Sequence, residues 1–137
     1  MKAEGFPKRE RIVSRKLIEE LFSGGQSHSL TAFPLRAVYL LCQSQSEAVA
    51  VQLLISVPKR HFKHAVDRNR VKRQLREAFR KNKQLLINGI PEGQSAAVAF
   101  VWLSDSHVPS DDVERRVKNV LHRIVEKMNS NSQSTAQ

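Results

Sequence analysis

Cysteine and aromatic residues are scarce in this chain of 137 residues, and each scarcity excludes a class of protein. The single cysteine, Cys42, rules out an intramolecular disulfide framework. It lies in an apolar run, which is typical of a small core residue rather than of a nucleophile. Six Phe, one Trp and one Tyr are too few for a protein that binds single-stranded nucleic acid by stacking many bases on aromatic side chains.

This sequence shows no long apolar run, no apolar stretch of the secretory-signal type and none of the patterns of common catalytic sites. No segment predicts a membrane span, so we expect a cytoplasmic protein without a membrane partner. There is no phosphate-loop glycine pattern and no Ser/His/Asp or Cys/His arrangement. Asp105, Asp111 and Asp112 suit a loop and a helix start better than a metal site. We therefore expect neither catalytic nor metal-binding residues in the protein.

What the chain does have is positive charge concentrated in one stretch, from Pro58 to Lys83. This stretch holds eleven Lys or Arg and two acidic residues, a formal charge of +9 against +10 for the whole chain. A local excess of this size is typical of a surface that binds a polyanion.

The spacing within this stretch predicts an amphipathic helix from Arg68 to about Leu86, with Asp67 as its N-cap. At about 100° per residue, the apolar and basic residues separate onto two arcs. The apolar arc, which suits packing on a sheet, is Val71, Leu75, Ala78, Phe79, Leu85 and Leu86. The outward arc is Asn69, Lys72, Arg73, Arg76, Arg80 and Lys83.

The remaining segments predict an α+β sandwich, with helices packed on one small sheet. In order, they are a basic irregular segment at 1–13, a helix capped by Ser14 and stopped by Gly24-Gly25, a loop at 26–34, strands at 35–42 and 48–57, the basic helix, a turn at 88–94, a strand at 96–103 and a final helix capped by Ser110. Helical spacing predicts an apolar inner stripe on that final helix: Val113, Val117, Val120, Leu121, Ile124 and Met128. The strand at 48–57 is apolar enough to be central, and the strands flanking the basic helix are expected to be parallel. We predict one RNA-binding domain over 1–128 and a disordered polar tail at 129–137.

Three other functions compete with RNA binding in a processing complex. A stand-alone nuclease needs clustered carboxylates or histidines for its metal, which the basic stretch does not supply. A helix-turn-helix DNA binder needs a second helix just before the basic one, whereas a strand-like run closed by Pro58 precedes it. The third alternative is a ribosomal or other structured-RNA-binding protein without processing activity. Charge alone does not distinguish it from the subunit of an RNA-processing complex.

The basic stretch resembles the signature of the bacterial ribonuclease P protein component. The resemblance is carried by Lys59-Arg60, by residues 65–73 with their Arg68-Asn69-Arg70 core, and by residues 75–79. Phe6-Pro7-Lys8-Arg9 and Leu21-Phe22 are similar to the family's N-terminal entry and first helix end, and the resemblance covers residues 6–125.

The resemblance implies a fold and a function that the residues alone do not. The implied fold is an α-β-β-β-α-β-α sandwich with a mixed sheet and a left-handed crossover around the basic helix. The implied function is that of the non-catalytic protein subunit of an endoribonuclease that removes the 5′ leader from precursor tRNA. The chemistry is expected in the RNA subunit, with Mg²⁺ in the RNA–substrate complex and no cofactor bound by the protein alone.

The resemblance also implies which residues contact RNA, and no DNA partner is expected. The RNA-binding set is Lys59, Arg60, Lys63, Arg68, Asn69, Arg70, Lys72, Arg73 and Arg76. Arg hydrogen-bonds phosphates in a bidentate fork, and Lys adds point charge. A cleft for the 5′ leader is expected between the first helix and the sheet, where Phe22 and Tyr39 match aromatic positions and Ile18 offers only apolar contact. For Phe22 and Tyr39 the sequence leaves two roles open, RNA contact or packing in the core.

Overall fold

The computed structural model describes residues 15–23, 25–43, 51–91 and 93–135. The elements are α1 (Arg15–Ser23), β1 (His28–Ala32), β2 (Leu35–Gln43), β3 (Val51–Ser56), α2 (Ala65–Gly89), β4 (Gln94–Trp102) and α3 (Ser110–Thr135). Their order confirms the α-β-β-β-α-β-α sandwich. The predicted basic segment at 1–13 and the cap at Ser14 lie outside the described residues.

The four strands form one mixed sheet in the order β1-β2-β4-β3. β2 pairs antiparallel with both β1 and β4, while β3 and β4 run parallel, as predicted, because α2 carries the chain from one to the other. The prediction that the strand before Pro58 is central is wrong. β3 lies at an edge of the described sheet because β4, which pairs with β2 over its whole length, occupies the position between them. The hand of the crossover stays a prediction.

The main core lies between one face of the sheet and the two long helices. Phe79 of α2 meets Phe100 of β4 edge to face, with ring centroids 6.0 Å apart. Such a contact adds about 0.5–1.5 kcal/mol to the free energy gained by burial. The predicted inner stripe of α3 is confirmed, since all of its members are buried in this core: Val113, Val117, Val120, Leu121, Ile124 and Met128.

The opposite face of the sheet carries a smaller core beneath α1. Leu21 of α1 is buried there against Val38 and Leu40 of β2 and against Ala97 and Ala99 of β4. Side chains of a strand alternate between the two faces of its sheet, so a single strand contributes to both cores. The alanines of β4 bring the short helix close to the sheet.

The structure has a strand where the sequence predicts a loop, and its last helix is longer than predicted. β1 occupies part of the predicted loop at 26–34, and only Leu30 within it is buried, so it has no apolar alternation to reveal it. α3 continues to Thr135, past residue 128, where we expected the ordered domain to end. Neither Gly nor Pro stands between 129 and 135 to end the helix, and each added residue gains a hydrogen bond from a helix already formed.

The basic helix also departs from its prediction at two positions. It begins at Ala65 after an extended His64, so Asp67 lies in the first turn and is not the N-cap. Leu85 is exposed, and Asn82 is buried in its place. The Asn82 side-chain amide donates to the Ala78 carbonyl at 2.8 Å and to the Glu114 carboxylate of α3 at 3.1 Å. These bonds satisfy the buried amide and join the two long helices.

None of the helices in the described part of the chain combines the length and the apolarity needed to cross a bilayer.

The close contact between the end of α2 and α3 predicts a destabilising substitution at Gly89. A Cβ there would lie 2.7 Å from both γ-methyl carbons of Val125, and the β-branched side chain has little freedom to move away. We expect Gly89→Ala to lower the free energy of unfolding by about 1–3 kcal/mol, as overpacking does. Chemical denaturation measures this change.

Gly25→Ala is the matched control, because no atom lies within 4 Å of the Cβ it would add. Adding Val125→Ala to Gly89→Ala should restore part of the lost stability. Equal stability of the two single variants would contradict the packing explanation.

Candidate nucleic-acid interface

The predicted RNA-binding residues lie on the loop after β3 and on the first turns of α2. Pro58 starts the loop, and its carbonyl accepts a hydrogen bond from the His61 backbone at 3.1 Å. The residues of the set that are exposed are Lys59, Arg60, Lys63, Asn69, Arg70 and Arg73, and those half-buried are Arg68, Lys72 and Arg76. The predicted set therefore lies on one loop and the first turns of one helix, and six of its nine residues are exposed.

Helix geometry spreads this charge along a short length. The positions from Arg68 to Arg76 cover about 12 Å of helix axis at 1.5 Å per residue. The apolar side of the same turns is fully buried, with Val71 and Leu75 at 0% exposure. Because these residues hold the helix against the sheet, the basic side chains project from a fixed backbone.

Arg68 has a structural contact that its place in the basic motif did not reveal. Its guanidinium donates to the carbonyl oxygens of Phe62 and Lys63, at 2.8 and 3.0 Å. These bonds tie the loop to the first turn of α2. Part of its hydrogen-bonding capacity is therefore used within the protein, unlike that of a residue that serves only RNA.

Further along α2, one acidic residue interrupts the basic surface. The Glu77 carboxylate accepts hydrogen bonds from the Arg80 guanidinium at 2.5 and 3.0 Å. The bond from Arg80 is the main cause that lowers the pKa of Glu77 below its ordinary value. The carboxylate therefore stays ionised at neutral pH and offsets the Arg80 charge. The net positive surface is accordingly strongest before this pair, from the loop to Arg76.

Two histidine–carboxylate pairs join this surface to the loop between β4 and α3. His107 lies 3.0 Å from the Asp67 carboxylate through Nε2, and His61 lies 2.6 Å from that of Asp105 through Nδ1. The His107 ring also stacks on Phe62, with centroids 4.7 Å apart. Nearby, the Gln74 amide donates to the Val108 carbonyl at 2.9 Å.

These contacts position the basic loop, and sequence reasoning missed them. The partners of the two pairs are 40 and 44 positions apart, so no local pattern signals them. The only sequence signal was that Asp67 is one of two acids in an otherwise basic stretch.

The predicted leader-cleft residues do not come together, because Tyr39 lies on the wrong face of the sheet. It is 2% exposed and belongs to the main core under α2 and α3. Its neighbours Val38 and Leu40 point to the α1 side instead, as strand alternation requires. Burial raises the pKa of the Tyr39 hydroxyl. The centroids of the Tyr39 and His28 rings lie 5.4 Å apart. Of the two roles that the sequence left open for Tyr39, the structure therefore gives core packing, and its assignment to a cleft with α1 is wrong.

Ile18 and Phe22 do lie together on α1. Ile18 is half-buried against the small core, and Phe22 is 45% exposed. The register of β3 with β4 places Gln52, Leu54 and Ser56 on the same side of the sheet as Ala97 and Ala99 beneath α1.

All three of these β3 side chains are half-buried, so this part of the sheet face is only partly covered by the described residues. Sequence reasoning missed them because the register that sets their face is a tertiary fact.

Cys42 borders the same small core and behaves as predicted from its apolar surroundings. Burial raises the pKa of the Cys42 thiol, and the Glu20 carboxylate raises it further. The thiol therefore stays protonated at neutral pH, which is the unreactive form.

Among residues 15–23, 25–43, 51–91 and 93–135, no three His, Cys, Asp or Glu side chains are arranged to hold a metal ion.

The sequence alone predicts the same effect for Arg68→Ala and Arg70→Ala, which is weaker RNA association. The contacts of Arg68 predict that only the first of these variants also loses stability. Arg68→Ala removes two hydrogen bonds from a charged donor, so we expect the free energy of unfolding to fall by about 1–3 kcal/mol. Arg70 is exposed, and we expect Arg70→Ala to change the free energy of unfolding by less than about 0.5 kcal/mol. Thermal unfolding of both variants measures this difference, and equal melting temperatures would contradict the structural role of Arg68.

Comparison with known proteins places these features in one family. Residues 6–125 match the family model described as Ribonuclease P. The chain is 41% identical over 121 residues to the Ribonuclease P protein component of Porphyromonas gingivalis, covering 88% of this chain and 86% of that protein.

Solved structures show the same fold. An RNase P protein of Staphylococcus aureus, a mutant with defective mRNA degradation activity, aligns with a TM-score of 0.66 and 20% identity over 85% of this chain and 89% of that one. The RNase P protein from Thermotoga maritima aligns with a TM-score of 0.63 and 23% identity over 84% and 97%.

These matches favour a subunit of ribonuclease P, the tRNA-processing endoribonuclease, over an RNA-binding protein without processing activity. Its partner is accordingly the RNA subunit of that ribonucleoprotein. The chain belongs to the ribonuclease P protein component family.

Proposed function

We propose that this protein assists the catalytic RNA by binding the 5′ leader of precursor tRNA and by stabilising the active RNA fold. The observation that carries the proposal is the exposed basic surface of the β3–α2 loop and α2, held in place by the buried apolar side of the helix. A partly covered sheet face beside α1 provides a second surface for the leader.

On the basic surface, the residues act by binding and orienting phosphates. Arg70 and Arg73 each present a guanidinium that hydrogen-bonds a phosphate through two parallel donors. Asn69 carries both a donor and an acceptor, which suits a base edge or a 2′-hydroxyl. Each phosphate neutralised releases condensed counterions, which is a favourable entropy term at low salt.

For the leader we propose the α1 side of the sheet. Phe22 offers an exposed ring for stacking, and Ile18 offers apolar contact. The half-buried Gln52 and Ser56 add polar groups on the same side. Together these residues suit an extended single strand, with bases against α1 and backbone near β3.

The hydrolysis itself we assign to the RNA, with Mg²⁺ in the RNA–substrate complex. The protein's Lys and Arg side chains carry positive charge, which offsets phosphate charge as the RNA strands approach each other. By lowering that repulsion, the protein reduces the Mg²⁺ concentration at which the RNA is active.

A cleavage assay tests the proposed function. We expect multiple-turnover removal of the 5′ leader at low magnesium to be strongly stimulated when this protein is added to the cognate RNA subunit, with no cleavage by the protein alone. Arg70→Ala combined with Arg73→Ala should lose most of the stimulation, whereas Lys127→Ala, an exposed cation of α3, should keep it. Cleavage by protein alone, or no stimulation despite tight RNA binding, would contradict the proposal.

The salt dependence of binding tests the electrostatic part separately. A plot of log Kd against log salt concentration should be steep, because several phosphates are contacted. Arg70→Ala should reduce its slope by about 1, as expected for the loss of one phosphate contact. Filter binding to the RNA subunit measures this slope, and a flat response of the unmodified protein would remove the basic helix as the contact surface.

A further inference from the structure

A second basic groove lies away from α2, between the β1–β2 turn and α3. Its volume is about 680 Å³, and it is lined by Ala32, Phe33, Arg115, Arg116, Asn119 and Arg123. None of these residues belongs to the predicted RNA-binding motif. Half of them are arginines and none is acidic, so the lining is net positive even though Asp112 offsets the charge of Arg115, and the groove attracts anions.

The groove is built by hydrogen bonds from two of its arginines. Arg116 donates through Nε to the carbonyl of Phe33 at 2.9 Å, and Arg123 donates to the carbonyl of Thr31 at 2.9 Å. The turn also accepts a hydrogen bond at the Pro34 carbonyl, from the Leu103 backbone at 2.8 Å. Arg116 and Arg123 are therefore positioned by the turn, and each of the two guanidinium groups has further donors for an anion.

Phe33 adds an aromatic surface at the rim of this groove. It is 64% exposed, the largest exposed fraction among the aromatic side chains of the described residues. An exposed ring beside fixed arginines suits a nucleotide, whose base stacks on the ring while its phosphate meets the guanidinium groups. Arg115 stands beside them and is paired with Asp112.

The groove lies at the opposite edge of the sheet from the basic helix. α3 packs over β1 and α2 packs over β3, and the strand order places β1 and β3 at the two edges. Three strand spacings of about 4.8 Å separate those edges by about 14 Å, before the helices are added. One nucleotide cannot reach both surfaces, so an RNA bound at both is held at two or more of its nucleotides.

We propose that this groove binds an unpaired nucleotide of the ribonuclease P RNA subunit, at a segment different from the one bound by α2. The inference rests on the proposed function, because it takes the same RNA as the partner. The protein thereby fixes two segments of the RNA relative to each other, with Phe33 as the stacking residue and Arg116 and Arg123 as the phosphate contacts.

Binding measurements give the first test. Phe33→Ala should weaken binding to the RNA subunit by about tenfold, as the loss of one stacked base does, while leaving the salt slope and the melting temperature unchanged. Arg116→Lys keeps the positive charge but loses the bidentate guanidinium, so it should weaken binding less than Arg116→Gln, which loses both. Arg116→Gln should also lower the slope of log Kd against log salt concentration by about 1. Unchanged affinity of Phe33→Ala would overturn the proposal.

Site-directed cutting by tethered iron–EDTA identifies the RNA segment. In a Cys42→Ala background, Phe33→Cys and Asn69→Cys would each carry the probe, in the complex assembled with the RNA subunit and precursor tRNA. The expected result is cuts in the RNA subunit from position 33 at nucleotides not cut from position 69. Cuts from position 69 alone, or from position 33 only in the precursor tRNA, would overturn this inference and leave the proposed function standing. Cuts from neither position would overturn both.

Discussion

Burial of the apolar side of α2 against the sheet decides where the positive charge of this protein lies. Val71, Leu75 and Phe79 are fully buried, and each removes apolar surface from water. Full burial of such a side chain stabilises the fold by about 1.5–3 kcal/mol. The cations interspersed among them cannot follow, because an unpaired buried charge costs far more than the helix gains. The basic surface is therefore a consequence of the core.

The contacts at the start of α2 then keep that surface in one arrangement. Arg68 holds the loop carbonyls, while Asp67 and His61 reach the loop between β4 and α3. Binding orders both side chains and loops, and each ordering costs conformational entropy. Because the loop backbone is already held in place, its share of that cost is smaller. Asp67 offsets part of the positive charge of the motif, but its contact with His107 also helps to hold the neighbouring cations in position.

The sheet separates two surfaces of different character. Its α2 and α3 face is closed by the main core, which includes Tyr39 and Trp102. Its other face is covered by the short α1 and remains partly accessible at β3. The proposed function assigns the single-stranded leader to this partly accessible face and structured RNA to the cations of α2. The domain therefore offers its proposed ligands two chemically different sites within one small fold.

The sequence by itself determined the amphipathic helices, the strands β2, β3 and β4 and the basic motif, because these depend on periodicity and local charge. The period of α3 predicted each buried member of its inner stripe, and the Arg68-Asn69-Arg70 motif indicated the family. Only the tertiary structure decided which strand is central, which face Tyr39 takes, and that Asp67 meets His107 instead of capping the helix. Those outcomes depend on strand order and register, and on contacts between residues about forty positions apart, which leave no periodic trace in the chain.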